Sequence, residues 1–127
     1  MENKTYEPKE LLKVLHNCWS LQSSSKWRKD NPATGQCGVT ALVVNDILGG
    51  EIKKTKLPGG WHFYNIINGE RYDFTNSQFT EDIFYMDIPS NREEAYTDTN
   101  EKQYTHLRHK VLLNLRTLHN SYNGRHH

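Results

Sequence analysis

The spacing of apolar residues predicts an amphipathic helix near the N-terminus. Pro8 favours the first turn of a helix, and apolar side chains then recur at helical intervals as far as Trp19. We therefore expect a helix over residues 8 to 19, with Cys18 on the face that packs into the core.

A second helix is predicted over residues 37 to 48, an almost uninterrupted apolar block that begins with Cys37 and ends before Gly49. A helix that is apolar around most of its circumference is buried, and glycine is a common C-terminal cap. The preceding residues 20 to 36 are rich in Ser, Asn, Pro and Gly and show no periodicity. Loops of this length in a small domain are often functional.

The pattern then changes to that of strands, which are predicted over residues 51 to 56, 61 to 67 and 70 to 75. The last two are joined by Asn68-Gly69, a dipeptide typical of a two-residue type I′ turn. This turn makes Ile67 face Glu70, and the register that follows places Asp73 on the same side of the sheet as His62.

The C-terminal third predicts a long helix. Two candidate capping boxes, Ser90 with Glu93 and Asp98 with Glu101, are typical of helix N-termini. The second opens a helix with one apolar face, formed by Tyr104, Leu107, Val111, Leu115 and Leu118. Residues 79 to 84 fit either a short helix or a strand.

Length and charge restrict the class of protein. A chain of 127 residues fits one domain over residues 1 to 127, and we expect its last few residues to be flexible. The 16 Lys and Arg residues nearly balance 15 Asp and Glu residues without forming a basic stripe, which argues against nucleic acid as a partner. With no long apolar run and a charged N-terminus, the sequence predicts no membrane association and a cytoplasmic location.

Cys37, His62 and Asp73 are candidate catalytic residues. A helix N-terminus offers free N–H groups and a positive dipole end, so we expect it to favour the thiolate of Cys37. His62 is then a candidate base and Asp73 the carboxylate that orients it, as in acyl transfer by a Cys-His-Asp triad. The side chain of Asn31 or of Gln36 is a candidate oxyanion donor beside the Cys37 N–H, and the sequence does not choose between them.

Simpler interpretations exist for the same residues. A cysteine at the beginning of an apolar helix is often only a small core residue, and large aromatic residues often only fill a core. Of the three tryptophans, we expect only Trp61 to line a cleft, because it adjoins His62. Zinc bound by Cys18, Cys37, His16 and His62 is an alternative without paired CxxC spacing, so we expect no metal and no other cofactor. The two cysteines are expected to be free thiols.

The candidate site resembles that of a known group of enzymes. Gly35-Gln36-Cys37, His62-Phe63-Tyr64 and Asp73-Phe74-Thr75 resemble, in this order, the cysteine, histidine and aspartate motifs of the transglutaminase-like branch of papain-fold enzymes. Gly38 stands where transglutaminases usually carry a tryptophan. Most of the chain also resembles the YunG family of small uncharacterised bacterial proteins, through CWSLQSSSKW at 18 to 27, NPATGQCGVTALVVND at 31 to 46, GWHFYNIINGERYDFT at 60 to 75 and IPSNREEAYTDTN at 88 to 100.

Pattern and resemblance together predict an α+β fold. The buried helix that carries Cys37 is expected to pack on an antiparallel sheet, covered by the terminal helices, and the resemblance implies that this is a papain or transglutaminase-like arrangement. It also implies a cysteine-dependent acyl-transfer enzyme, such as an amidase, peptidase or transglutaminase, acting on a peptide or small acyl donor through a thioester. The alternative is a non-catalytic module that binds a peptide or small ligand in the same cleft.

Overall fold

The helix that begins at Cys37 lies between the other helices and the sheet in the computed structural model, which describes residues 6 to 124. The helices are α1 (Pro8–Cys18), α2 (Cys37–Leu48), α3 (Arg92–Tyr96) and α4 (Glu101–Gly124). The strands are β1 (Glu51–Leu57), β2 (Gly60–Ile67), β3 (Glu70–Tyr72) and β4 (Ile88–Pro89). The predicted α+β class is confirmed, while the expectation for the last few residues lies outside the described part of the chain.

The two predicted N-terminal helices are confirmed. Eight consecutive residues of α2, from Cys37 to Val44, are buried, as its continuous apolar pattern requires. One side of α2 packs against α1 and α4, where Leu15, Val43 and Val111 belong to one apolar cluster. None of the described helices combines the length and the apolar character that crossing a bilayer demands.

The strands form one antiparallel sheet in the order β3-β2-β1-β4. The predicted hairpin register is confirmed, since Ile67 pairs with Glu70 and Asn65 pairs with Tyr72. However, β3 ends at Tyr72, so the predicted continuation of the strand to residue 75 is wrong. Asp73 accepts a hydrogen bond from the N–H of Thr75 (3.2 Å), and this local turn diverts the chain into a short 3-10 helix, Asn76–Gln78.

Both faces of β2 are covered, because its side chains alternate between α2 and the segment 79 to 87. Phe63 packs with residues of α2, and the Asn65 side chain donates to the Ala41 carbonyl at 3.1 Å. On the opposite face, Thr55 of β1 accepts from the Met86 N–H and donates to the Phe84 carbonyl. These bonds hold the segment 79 to 87, in which the structure has neither the helix nor the strand considered from the sequence.

Both predicted capping boxes are wrong. The N-cap of α3 is Asn91, which accepts from the Glu94 N–H at 2.8 Å, and α4 is capped in the same way by Asn100 through the Gln103 N–H. The predicted apolar face of α4 is buried at Leu107, Val111 and Leu115, but Leu118 is 45% exposed. Asp98 is therefore free of the capping role, and its carboxylate reaches the first turn of α2.

Candidate functional site

A cavity of about 210 Å³ opens where the N-terminus of α2 meets the turn between β1 and β2. Its walls combine Cys37 and His62 with Asp98, which lies on the link between α3 and α4. The loop over residues 20 to 36 and the short 3-10 helix complete the rim, through Thr34 and Gln78 among others. Four separate parts of the chain thus meet at one small opening.

His62, which lines this cavity, forms a tight, buried pair with Asp73. His62 Nε2 lies 2.7 Å from Asp73 Oδ2, and both side chains are 2% exposed. The same carboxylate accepts from the Tyr85 hydroxyl (2.9 Å) and from the N–H and hydroxyl of Thr75 (3.2 and 3.4 Å). Because Nε2 is engaged by Asp73, Nδ1 is the ring nitrogen left for a reacting group.

Aromatic rings fix the plane of the imidazole. Phe79 meets the His62 ring edge-on with centroids 5.0 Å apart, and Tyr64 stacks on it at 6.2 Å. Tyr85 was not found from the sequence, because it lies in the segment 79 to 87, where no periodic pattern marks which side chains point inward. Its hydroxyl nevertheless makes one of the bonds that hold Asp73 against His62.

Cys37 lies at the first residue of α2, beside the backbone of β2. In the register of the hairpin, the N–H of Phe63 would pair with residue 74 if β3 continued, but β3 ends at Tyr72. This N–H instead acts on the Cys37 thiol and lowers its pKa. The early end of β3 therefore leaves a backbone donor for the candidate nucleophile.

The thiol of Cys37 donates its hydrogen bond to Asp98 and not to His62. Its Sγ lies 3.5 Å from Asp98 Oδ2, and the same oxygen accepts from the Gly38 N–H at 3.1 Å. Asp98 is exposed on its outer side, so the carboxylate forms part of the mouth of the cavity. Asp98 was not found from the sequence, because the pattern from Asp98 to Glu101 fits a capping box equally well.

Burial raises the pKa of Cys37 to about 12, and the negative charge of Asp98 adds to the increase. The N–H of Phe63 lowers this pKa but does not offset the other two effects. The prediction that the N-terminus of α2 favours the thiolate is therefore wrong for this arrangement. The carboxylate of Asp98 already occupies an N–H at the positive end of the helix.

Gly38 is required by the close approach of Asp98. A Cβ at this position would lie 2.6 Å from the Asp98 Cβ and 2.8 Å from the Ala95 carbonyl oxygen, both far inside van der Waals contact. The residue after the cysteine is thus glycine because the end of α3 and Asp98 fill the space of a side chain.

Neither candidate oxyanion side chain lines the cavity. Asn31 donates to the Gln78 carbonyl at 3.1 Å and so ties the long loop to the 3-10 helix. Gln36 is fully buried, with its amide nitrogen 3.5 Å from the Ser20 carbonyl. The available donors near Cys37 are backbone N–H groups of the first turn of α2.

Trp61 lines the cavity as the sequence suggested and is 42% exposed. The ammonium groups of Lys54 and Lys56 lie 4.5 and 5.1 Å from its ring centroid. Cys18 is buried in α1 within the apolar core, and both cysteines are free thiols. In the part of the chain that the structure describes, no three His, Cys, Asp or Glu residues are grouped as a metal site.

The comparisons with known proteins agree with the resemblance of the whole chain. Residues 7–116 match the YunG protein family. The uncharacterised protein YunG of Bacillus subtilis (strain 168) is 59% identical over 95 residues, which cover 75% of this chain and 83% of that protein. No solved structure matches the chain. A match of this extent and identity shows that the chain belongs to the YunG family.

Proposed function

We propose that the protein is a cysteine-dependent acyl-transfer enzyme with a papain or transglutaminase-like arrangement of Cys37, His62 and Asp73. The observation that carries this proposal is that His62, which is paired with the buried Asp73, lines the same cavity as Cys37. A histidine held by a carboxylate through one nitrogen is ready to exchange a proton at the other. In this proposal, Nδ1 is the atom that takes the proton of the Cys37 thiol.

The reaction follows from these roles. The Cys37 thiol gives its proton to His62 Nδ1, and the sulfur attacks the carbonyl carbon of the acyl donor. The oxyanion accepts hydrogen bonds from backbone N–H groups of the first turn of α2. Collapse of this tetrahedral intermediate expels the leaving group, which takes the proton from His62, and leaves a thioester on Cys37. Water or an amine then attacks the thioester carbon and gives its proton to His62; the C–S bond breaks, the acid or amide is released, and the sulfur takes the proton back from His62 as the thiol.

Asp73 stabilises the imidazolium that forms in each half of this cycle. Its four hydrogen bonds hold the carboxylate in place and leave it little freedom to turn away from His62. The cavity of about 210 Å³ suits the reacting end of a peptide or a small acyl donor. The half-exposed ring of Trp61 offers the rest of that donor an apolar surface.

The alternative function is a module that binds a peptide or small ligand in the same cavity without catalysis. The raised pKa of Cys37 favours this alternative, since a thiol with a pKa of about 12 is a weak nucleophile at neutral pH. The two functions differ in whether Cys37 becomes acylated and whether His62 accelerates that step.

Acylation of Cys37 tests the proposal directly. In the Cys18→Ser protein, which leaves one thiol, intact mass is followed during incubation with p-nitrophenyl acetate, an acyl thioester or a glutamine-containing peptide. We expect one acyl group per chain from at least one donor, none in Cys37→Ser, and a rate lowered roughly a hundredfold in His62→Ala.

His109→Ala is the matched control, since His109 is an exposed histidine on α4. It is expected to leave the rate of acylation unchanged. Equal acylation of the His62→Ala and parent proteins, or no acylation with any donor, would reject the enzyme and leave the binding module.

A further inference from the structure

Asp98 is the charged group in direct contact with the candidate nucleophile. Its Oδ2 bridges the Cys37 thiol (3.5 Å) and the Gly38 N–H (3.1 Å), whereas Asp73, the other carboxylate at the site, is engaged by His62. No role for Asp98 follows from the triad. The contact is also built into the packing, because the space for Asp98 exists only if residue 38 is glycine.

We propose that Asp98 is a fourth functional residue of the site, which holds Cys37 as a thiol in the free protein and yields the Gly38 N–H to the carbonyl oxygen of an acyl donor. This inference rests on the proposed function, since it takes Cys37 as the nucleophile. Asp98 acts through Cys37 and is a positioning residue.

The chemistry of the contact supports this role. A carboxylate next to the sulfur accepts the S–H proton as a hydrogen bond and repels the negative charge of a thiolate. It also occupies one of the N–H groups that would otherwise stabilise developing negative charge at the N-terminus of α2. A carbonyl oxygen that replaced Oδ2 on this N–H would remove both effects in one step, and the thiol would become reactive when an acyl donor is bound.

The position of Asp98 allows this exchange. It lies on the short link between α3 and α4, where Asn100 begins the cap of the next helix, and its outer side is exposed to solvent. Displacement of the Asp98 side chain therefore breaks the two contacts at Cys37 and Gly38 without opening the core. α2, by contrast, is fixed by burial along its first eight residues.

Three other charged or titratable groups face this contact from neighbouring elements. Lys26 of the long loop and His62 of β2 both favour the charged form of Asp98, and Asp73 adds to the repulsion of a Cys37 thiolate. Partial burial raises the pKa of Asp98, while the Gly38 N–H and the Cys37 thiol oppose that increase. Asp98 acts on the sulfur most directly, because it alone among these groups accepts the S–H hydrogen bond.

The test is the pH profile of Cys37 alkylation by iodoacetamide in the Cys18→Ser protein. Asp98→Asn keeps the shape of the side chain but removes its charge, so the profile should move to lower pH. At neutral pH the rate should rise roughly tenfold for each unit by which the pKa of Cys37 falls. Glu93→Gln removes an exposed carboxylate of α3 and should leave the profile in place.

Gly38→Ala should also remove the contact between Asp98 and Cys37. Its methyl group would overlap Asp98, so a folded Gly38→Ala protein should show the profile of Asp98→Asn. An unchanged profile in Asp98→Asn, or slower alkylation at every pH, would overturn the inference; the second result would make Asp98 the base for Cys37.

These outcomes separate this inference from the proposed function. If Asp98→Asn shifts the alkylation profile but no donor acylates the protein, Asp98 controls the thiol and the acyl-transfer function is rejected. If a donor acylates Cys37 with the dependence on His62 described above, but the Asp98→Asn profile is unchanged, the enzyme stands and the role of Asp98 is rejected.

Discussion

Asp73 is the residue on which the geometry of the candidate triad depends. Its two oxygens accept four hydrogen bonds, from His62, Tyr85 and both donors of Thr75. A carboxylate buried to this degree is stable only when its acceptor positions are filled, because transfer of an unpaired charge from water is costly. The imidazole is consequently held by a group that cannot easily reorient.

Tyr85→Phe tests the contribution of one of these donors. Loss of the hydroxyl leaves Asp73 with the bonds from His62 and Thr75, and we expect the free energy of unfolding in urea to fall by about 1 to 2 kcal/mol. Acylation of Cys37 should also slow, since the carboxylate is held less firmly. Tyr72→Phe, at the end of β3, is the control and should change neither quantity by a comparable amount.

At this scale the sequence predicts the contact between His62 and Asp73 but not the role of Asp98. The first follows from the turn at Asn68-Gly69, which sets the register over the next few residues. The second depends on a contact between residues 60 positions apart, Gly38 and Asp98. No local pattern distinguishes an aspartate that caps α4 from one that reaches α2.

The elements with a regular pattern of apolar residues could be predicted, because the packing that stabilises them also requires that pattern. α2 is apolar on every side because it packs between the helices and the sheet, and the hairpin is marked by its turn dipeptide. The segment 79 to 87 shows no regular pattern of apolar residues, because it is held by hydrogen bonds between side chains and backbone, such as those of Thr55 with Phe84 and Met86. Such bonds leave no repeating signal in the sequence.

Gly69→Val tests the hairpin turn. Gly69 has φ +81°, and no atom lies within 4 Å of a Cβ at this position, so backbone strain is the only penalty for a larger residue. We expect a loss of about 1 to 2 kcal/mol in the free energy of unfolding, measured in urea.

Gly59→Val is the matched control for the hairpin turn, because Gly59 also faces open space but does not have a positive φ. It should cost clearly less stability than Gly69→Val. Equal losses in the two variants would contradict a strained turn at residue 69.

In the molecule as a whole, the site is assembled from parts of very different rigidity. Cys37 is fixed by the buried helix α2 and His62 by the central strand β2, while Asp98 lies on an exposed link. In the proposed function, Cys37 and His62 are the firmly held nucleophile and base, and Asp98 is the group that a bound acyl donor displaces. Asp98, the residue that opposes ionisation of Cys37, is therefore the part of the site that the fold holds least firmly.

The raised pKa of Cys37 predicts that the whole protein loses stability at alkaline pH. Above about pH 8.5 the unfolded chain releases the Cys37 proton while the native protein retains it up to a pKa of about 12, so the unfolded state binds fewer protons and stability falls as pH rises. Between pH 7.5 and 9.5 the loss from this one group is at most roughly 1.4 kcal/mol. Burial also raises the pKa values of Cys18, Tyr64 and Tyr85, which act in the same direction.

Cys37→Ser isolates the contribution of this thiol, because the other groups titrate equally in both proteins. The free energy of unfolding in urea, measured with reductant present at pH 7.5 and 9.5, should fall less in Cys37→Ser than in the parent protein, by up to about 1.4 kcal/mol. If the free energy of unfolding falls equally in the parent and Cys37→Ser proteins between pH 7.5 and 9.5, the native thiol is not protected from ionisation.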